Sequence, residues 1–246
     1  MPNSETGHAK NVGNFEALIA VCVGFGAKYN PVSALITILS LNSLLTLAAN
    51  ALDALKNAEL PFKNALTARN AAFSPLSKLV TRVKAALNSS DVPEQIVSNA
   101  ETYIHKIKGE RSSSKEDPPP TNPETPATDS SKNISVSQMS FDLRTDNMNS
   151  LVTLLSGQPN YKPNETDLTV ESLTAVLTDM KTTNKAVKDL TPAVNNARIE
   201  RDRVLYTKTT GLVDVAQKVK DYVKSVYGAG SPQYKQVSKL KFTSKN

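Results

Sequence analysis

The sequence predicts an all-α protein of two tandem antiparallel helical bundles, about four helices each, related by an internal duplication and joined by a Pro/Ser/Thr-rich linker. Three observations predict this fold. Apolar residues recur at spacings of three and four, two stretches of the chain follow one collinear pattern, and a segment of low apolar content separates them. The alternation by two that is typical of strands is absent from both stretches.

The composition suits closely packed helices. The 246 residues contain no Trp and only 5% aromatic residues, so the core must rely on Leu, Val and Ala. The single cysteine, Cys22, excludes an intramolecular disulfide. Because the polar start lacks the basic-then-apolar order of a secretory signal, we expect a cytoplasmic protein.

The linker divides the chain into two similar lengths. Residues 109–138 are dominated by Pro, Ser and Thr and have almost no large apolar residues, so they cannot form a core. The predicted domains are therefore a first helical repeat at 1–108 and a second at 139–246.

Each half contains a Tyr-x-Pro motif followed by a long apolar stripe. Tyr29 and Pro31 match Tyr161 and Pro163, 132 positions later. We expect Asn30 to cap the long helix of the first half, with Pro31 in its first turn.

The remaining helices follow from local signals. The first helices are expected at about 14–24 and 140–155, and the third at 76–87 and 212–227. Asp91 and Ser231, each followed closely by Pro, predict the caps of the fourth helices. Pro61 and Pro192 lie inside the long stripes, and each predicts a kink or break.

An uncharged segment runs from Tyr29 to Leu52. A helix that is apolar all round lies either in a protein core or in a membrane, and this one is long enough for a membrane span. The counterpart in the second half carries charges, which favours a buried or oligomer-facing helix. A segment that enters membranes after a rearrangement is the alternative. The candidate contact residues are Leu35, Leu39, Leu44, Leu45 and Leu47.

The net charge of +6 is concentrated near the C-terminal end of the sequence, where residues from Arg201 onward include ten Lys and Arg against three Asp. Such a patch suits an anionic partner, although a solvated helix surface is the plainer interpretation. Nucleic acid is a weaker candidate, because no aromatic platform is interleaved with the lysines. The candidate anion contacts are Lys218, Lys220, Lys224, Lys235, Lys239 and Lys241.

No pattern indicates catalysis. His8 lies in the polar start, and His105 has no second ligand at the spacing of a zinc or di-iron site. Cys22 lies on an apolar stripe, which predicts a buried, unreactive thiol. Phosphate-loop and nucleophile-elbow motifs are absent. We therefore expect no catalytic residues, no metal and no cofactor.

Three stretches resemble a family of duplicated helical proteins from Bacteroidota-type bacteria. They are "GLVDVAQKVKDYVKSVYGAGSPQYKQVSKLKF", "NFEALIAVCVGFGAKYNP" and "ISVSQMSFD". The resemblance covers most of both halves. It implies an all-helical fold, and it implies no activity or site residues.

These observations support two hypotheses of function. The first is a non-enzymatic structural or protein-interaction module that contacts another protein or a second copy of itself through its apolar first half. The alternative is a membrane-active protein, similar to helical pore-forming toxins, that uses the apolar helix at 29–52 and the basic C-terminal helices.

Overall fold

The structure, a computed structural model, describes residues 4–109 and 139–244, and these residues form helices and turns without strands. The helices before the predicted linker are α1 Ser4–Gly24, α2 Ile38–Phe73, α3 Leu76–Asn88 and α4 Glu94–Lys108. Those after it are α5 Phe141–Ser156, α6 Val170–Tyr206, α7 Leu212–Tyr227 and α8 Pro232–Ser238. The all-α prediction is confirmed. The predicted linker, apart from Gly109, lies outside the described residues.

The chain forms two compact units that differ from the predicted sequence domains. The first unit comprises Met1–Phe62 and Leu190–Asn246, and the second comprises Lys63–Asp189. Each unit therefore contains helices from both sequence halves. The reason is the length of α2 and α6, which have 36 and 37 residues. Helices of about 50 Å exceed the width of one small core, so the two ends of each helix pack in different cores.

The first unit is built around the apolar stripe of α1. Phe15, Leu18 and Cys22 of this stripe are fully buried and pack with residues from the start of α2, the end of α6, and α7. Val237 of α8 is also fully buried there. Burial of several large side chains at about 1.5–3 kcal/mol each is the main stabilising contribution in such a core.

The core of the second unit combines α3, α4 and α5 with the end of α2 and the start of α6. Phe73 at the end of α2 meets Phe141 of α5 edge-on, with ring centroids 4.9 Å apart. The guanidinium of Arg69 stacks on the Phe141 ring at 3.9 Å. This aromatic contact fixes the end of α2 against the start of α5.

The turns before α2 and α6 make the same hydrogen bonds. The Tyr29 hydroxyl donates to the Ile36 carbonyl at 2.6 Å, and the Tyr161 hydroxyl donates to the Leu168 carbonyl at 2.9 Å. Each tyrosine thus anchors a loop of seven residues that ends in a single 3₁₀ turn, at residues 34–36 or 166–168.

The expected cap at Asn30 is wrong, because α2 begins at Ile38 and not beside Pro31. The hydroxyl of Thr37 instead accepts from the Ser40 N–H at 3.3 Å. Thr169 accepts from the Ser172 N–H in the same way at 3.2 Å. The threonine hydroxyls thereby satisfy N–H groups of the first turn that have no partner within the helix.

Other helix boundaries depart from the sequence expectations. The α1 helix begins at Ser4, ten residues before the expected start. No side chain caps α4, whereas Ser231 caps α8 as expected by accepting from the Tyr234 N–H at 3.1 Å. Neither proline breaks its helix, since α2 continues through Pro61 and α6 through Pro192. Both prolines are exposed, so water can reach the carbonyl groups that they leave unpaired.

Candidate interaction surface

Large apolar side chains are exposed to solvent at the start of α2 and in the turn before it. Leu39 is 79% exposed and Leu47 is 54% exposed, while Leu35 in the preceding 3₁₀ turn is 43% exposed. Ser43 is exposed between Leu39 and Leu47. Leu39, Ser43 and Leu47 follow the i, i+4 spacing of one helix side, and Leu35 lies in the 3₁₀ turn before the helix. We call Leu35, Leu39, Ser43 and Leu47 the α2 face.

A shallow groove of about 320 Å³ runs beside the α2 face. The α2 face forms one wall, and Thr210 and Val215 at the start of α7 form the other. The groove lies within the first unit. Its walls are mostly apolar, and they contain no charged side chain.

The other two predicted contact residues lie inward. Leu44 and Leu45 are half-buried and pack against the core of the first unit. Of the five leucines predicted from the sequence, Leu35, Leu39 and Leu47 are therefore placed for contact with a partner. Leu44 also lines the groove.

The apolar segment also meets the length and composition of a membrane span. Its 18-residue window has a mean hydropathy of 1.4, and 22% of that window is buried in the structure. The central helix of a globular core would be mostly buried. The start of α2 therefore differs from a central core helix.

The corresponding surface at the start of α6 is charged. At an offset of 132 residues, Leu35, Leu39 and Leu47 correspond to Asp167, Glu171 and Asp179, all exposed. At the matched buried positions both halves are apolar. The matched pairs are Ile36 and Leu168, Leu41 and Leu173, and Ala48 and Met180. Packing thus requires apolar residues at the buried positions, and it does not require leucine at the exposed ones.

Arg82 and Asp167 form an ion pair and line a groove beside the start of α6. Both guanidinium nitrogens of Arg82 on α3 donate to the Asp167 carboxylate, one of them at 3.1 Å. Arg82 holds the pKa of Asp167 below its usual value by hydrogen bonding and charge. The groove of about 490 Å³ at this place therefore has a polar wall, unlike the groove at the α2 face.

The predicted anion contacts fall into two groups. Lys224, Lys235, Lys239 and Lys241 are exposed, and Lys218 is half-buried with its ammonium donating to the Thr209 carbonyl at 3.0 Å. Lys220, in contrast, is only 9% exposed. Its Nζ donates to the Leu240 carbonyl at 2.5 Å and lies 4.8 Å from the centre of the Phe242 ring. Burial lowers the pKa of Lys220, and nearby Lys241 lowers it further. Lys220 therefore holds the segment after α8 and is not available to a surface ligand.

The excess positive charge belongs to the first unit. By sequence, this unit contains 14 Lys and Arg against 8 Asp and Glu, while the second unit contains 15 of each. Exposed apolar side chains follow the same division. Among the described residues, the large apolar side chains exposed in the second unit are Met139 and Leu143. All other exposed large apolar side chains among these residues belong to the first unit. The first unit is thus both the more basic and the more apolar at its surface.

The sequence patterns did not predict a buried polar cluster that α1 forms with Tyr206 at the end of α6. His8 and Asn11 of α1 are 7% and 1% exposed. His8 Nδ1 lies 2.5 Å from the Tyr206 hydroxyl, and Asn11 Nδ2 donates to the same hydroxyl at 3.3 Å. Extending the stripe of Phe15 back by one and two turns would have placed both residues on the buried side of a longer helix.

Cys22 is a packing residue in the core of the first unit. Cys22 is fully buried, and burial raises the pKa of its thiol to about 12. His105 is half-buried on α4. Among residues 4–109 and 139–244, no group of three or more His, Cys, Asp or Glu side chains is arranged to hold a metal ion.

Comparison with known protein families, curated proteins and solved structures found no match for this chain.

Proposed function

We propose that the protein is a non-enzymatic interaction module, built from two duplicated helical repeats, that binds a partner through the α2 face in the cytoplasm. The observation that carries this proposal is the contrast between exposed and buried positions in the two repeats. At matched buried positions both repeats are apolar, whereas at matched exposed positions one has leucine and the other has aspartate or glutamate. A contact surface explains why leucine is present where the fold tolerates an acid.

The duplication is supported by bonds in identical register. The tyrosine anchors, the threonine caps and the 3₁₀ turns before α2 and α6 all match at an offset of 132 residues. In this proposal each repeat is one set of helices, from α1 to α4 or from α5 to α8. The helices of the two repeats are shared between the compact units.

The interaction proposal is tested by photo-crosslinking in living cells. In one variant Leu39 is replaced by the photo-reactive residue benzoylphenylalanine. In the matched variant Glu171, the corresponding exposed residue of α6, is replaced in the same way. We expect a defined protein adduct from position 39 and none from position 171. Equal adducts from both positions, or none from either, would contradict the proposal.

Membrane activity is the second candidate, and the largely exposed apolar window of α2 is the observation that favours it. The positive charge of the first unit would support binding to anionic lipid. The test is dye release from vesicles of phosphatidylcholine and phosphatidylserine. Release that is lost in the variant Leu39→Glu/Leu47→Asp would support this function. An absence of release at every protein concentration and pH tried would reject it.

A further inference from the structure

We propose that one end of the first unit docks on a bilayer that contains anionic lipid. This end comprises residues 23–33, where α1 ends, and residues 222–235, where α7 ends and α8 begins, and we call it the α1–α7 end. The site is separate from the α2 face and does not rest on the proposed function. Its support comes from charge, from exposed valines and from the arrangement of aromatic rings.

Two segments that are distant in sequence meet at the α1–α7 end. The rings of Phe25, just after α1, and Tyr227, at the end of α7, have their centroids 5.1 Å apart. Tyr29 meets Tyr222 edge-on, with ring centroids 5.3 Å apart. The Tyr222 hydroxyl also accepts from the Asn30 N–H at 3.1 Å. The turn after α1 and the last turns of α7 therefore form one surface.

Both segments lack acidic residues. Residues 17–52 and 222–246 contain six lysines and no Asp or Glu. The lysines that are exposed at the α1–α7 end are Lys28, Lys224 and Lys235. Asp221 is the acid nearest to this end in the α7 sequence, and its carboxylate accepts from Gln217 Nε2 at 3.0 Å, one turn back along the helix. The α1–α7 end therefore has the positive charge that attracts anionic lipid.

Exposed valines accompany these lysines. Val32 in the turn is fully exposed, Val23 at the end of α1 is 55% exposed, and Val226 in the last turn of α7 is 43% exposed. This end is also open, because a methyl group added at Gly26 or Gly228 would meet no atom within 4 Å. In a bilayer interface the valines would leave water while the lysine ammonium groups remain in it.

The kind of cation favours a bilayer over a protein partner. Every cation in residues 17–52 and 222–246 is a lysine, and neither range contains arginine. Protein interfaces are enriched in arginine and depleted of lysine, because the guanidinium forms two parallel hydrogen bonds with a carboxylate. Lysine acts instead as a mobile point charge on a long apolar stem, which suits headgroups that have no fixed position.

The aromatic rings favour a bilayer over nucleic acid. Phe25, Tyr222 and Tyr227 are half-buried and pack against other rings, so they do not offer the free faces on which bases stack. Half-buried tyrosines are typical of the level of the headgroups in a membrane. A phosphate backbone would leave Val32 in water, whereas a bilayer covers both the valine and the lysines.

The first experiment is flotation of the full chain with vesicles of phosphatidylcholine, alone or mixed with phosphatidylserine. We expect binding to the mixed vesicles only, and weaker binding as salt rises. Val32→Asp should weaken this binding at least tenfold, whereas Val32→Leu should retain it. Lys28→Ala should weaken it about fivefold. Ile199→Asp changes an exposed apolar residue of the first unit outside the α1–α7 end and should leave binding unchanged.

The second experiment tests which residues enter the bilayer. Val32→Cys is labelled with a fluorophore whose emission shifts to the blue in an apolar environment, and Ile199→Cys is labelled in the same way as the control. We expect a blue shift at position 32 when the mixed vesicles are added, and none at position 199. The native Cys22 is buried and does not compete for the label.

Several outcomes would overturn this inference. They are an absence of vesicle binding at low salt, equal binding to vesicles with and without phosphatidylserine, and unchanged binding of Val32→Asp. Binding to single-stranded DNA that depends on Lys28 and not on Val32, without vesicle binding, would assign the α1–α7 end to nucleic acid instead.

The α2 face is tested separately with the same vesicles. Leu39→Glu/Leu47→Asp should dock as the wild type does, because these leucines lie outside the α1–α7 end. Loss of docking in this variant, with docking of Val32→Asp intact, would place the lipid contact on the α2 face and reject the site proposed here.

Discussion

The side-chain amide of Asn11 and the backbone of Thr243 form a reciprocal pair of hydrogen bonds. Asn11 Nδ2 donates to the Thr243 carbonyl at 2.9 Å, and Asn11 Oδ1 accepts from the Thr243 N–H at 2.9 Å. Asn14 Nδ2 donates to the Lys241 carbonyl at 2.6 Å in the same segment. The irregular chain after α8 is therefore held to α1 by side chains instead of by a helix or a strand.

We predict that Asn11→Ala destabilises the protein by about 2 kcal/mol. The substitution removes three partly buried hydrogen bonds, two to Thr243 and one to the Tyr206 hydroxyl, each with a net value of about 0.5–1 kcal/mol. Asn14→Ala, which removes one exposed bond, should cost less than half as much. Urea unfolding of both variants checks this, together with amide exchange at Thr243. Equal costs for the two variants would mean that the reciprocal pair has no special role.

The pH dependence of stability should report the tyrosine anchors. Burial raises the pKa of Tyr161 from 10.0 to about 12, and Glu165 adds to the shift. The folded protein thus holds the phenol proton more tightly than the unfolded chain does. This contribution is complete below pH 10 and is lost as pH rises to about 12.

The measurement is the unfolding free energy of the wild type and of Tyr161→Phe across that alkaline range. We expect the difference between the two proteins to shrink as pH rises. A difference that is constant through this range would show that the hydroxyl ionises as freely in the folded protein as in the unfolded chain.

Cys22 should resist thiol reagents in the native protein. Its side chain is fully buried, and a thiol with a pKa of about 12 has almost no thiolate at neutral pH. Labelling with a disulfide reagent should therefore follow the opening of the first unit, and it should accelerate with urea. Rapid labelling at neutral pH without denaturant would show that α1 is not packed as described.

Neighbouring leucines of α2 should differ sharply in their tolerance of charge. Leu45 packs against the core of the first unit, so Leu45→Asp should cost at least about 2 kcal/mol and reduce the helical signal in circular dichroism. Leu39→Glu serves as the control, because Leu39 is largely exposed. A folded Leu45→Asp variant with unchanged stability would contradict the placement of this residue.

The helices were predictable because apolar residues at spacings of three and four fall on one side of an α-helix, where they can be buried together. The arrangement of the helices was not predictable in the same way. The stripe of Phe15, Leu18 and Cys22 on α1 could pack equally well against the helices of its own half or against α7. Either choice buries the same side of α1, and sequence spacing does not distinguish them.

The candidate surface was predictable only in part. The uncharged segment from Tyr29 to Leu52 identified the region. Its composition did not show which of its leucines would be exposed and which would be buried. Exposure of Leu39 and burial of Leu41 depend on which neighbouring helix covers which side of α2. The offset of 132 residues offered one signal, since Leu39 corresponds to Glu171 while Leu41 corresponds to Leu173.

The central claim is that the exposed leucines of the α2 face serve contact and not folding. The most direct test is the unfolding free energy of the variant Leu35→Asp/Leu39→Glu/Leu47→Asp, at a protein concentration where the wild type is monomeric. These are the residues found at the matched positions of α6. We predict a value within about 0.5 kcal/mol of the wild type, because exposed substitutions rarely change stability by more. A loss of more than about 2 kcal/mol would show that the leucines are part of the core and would contradict the claim.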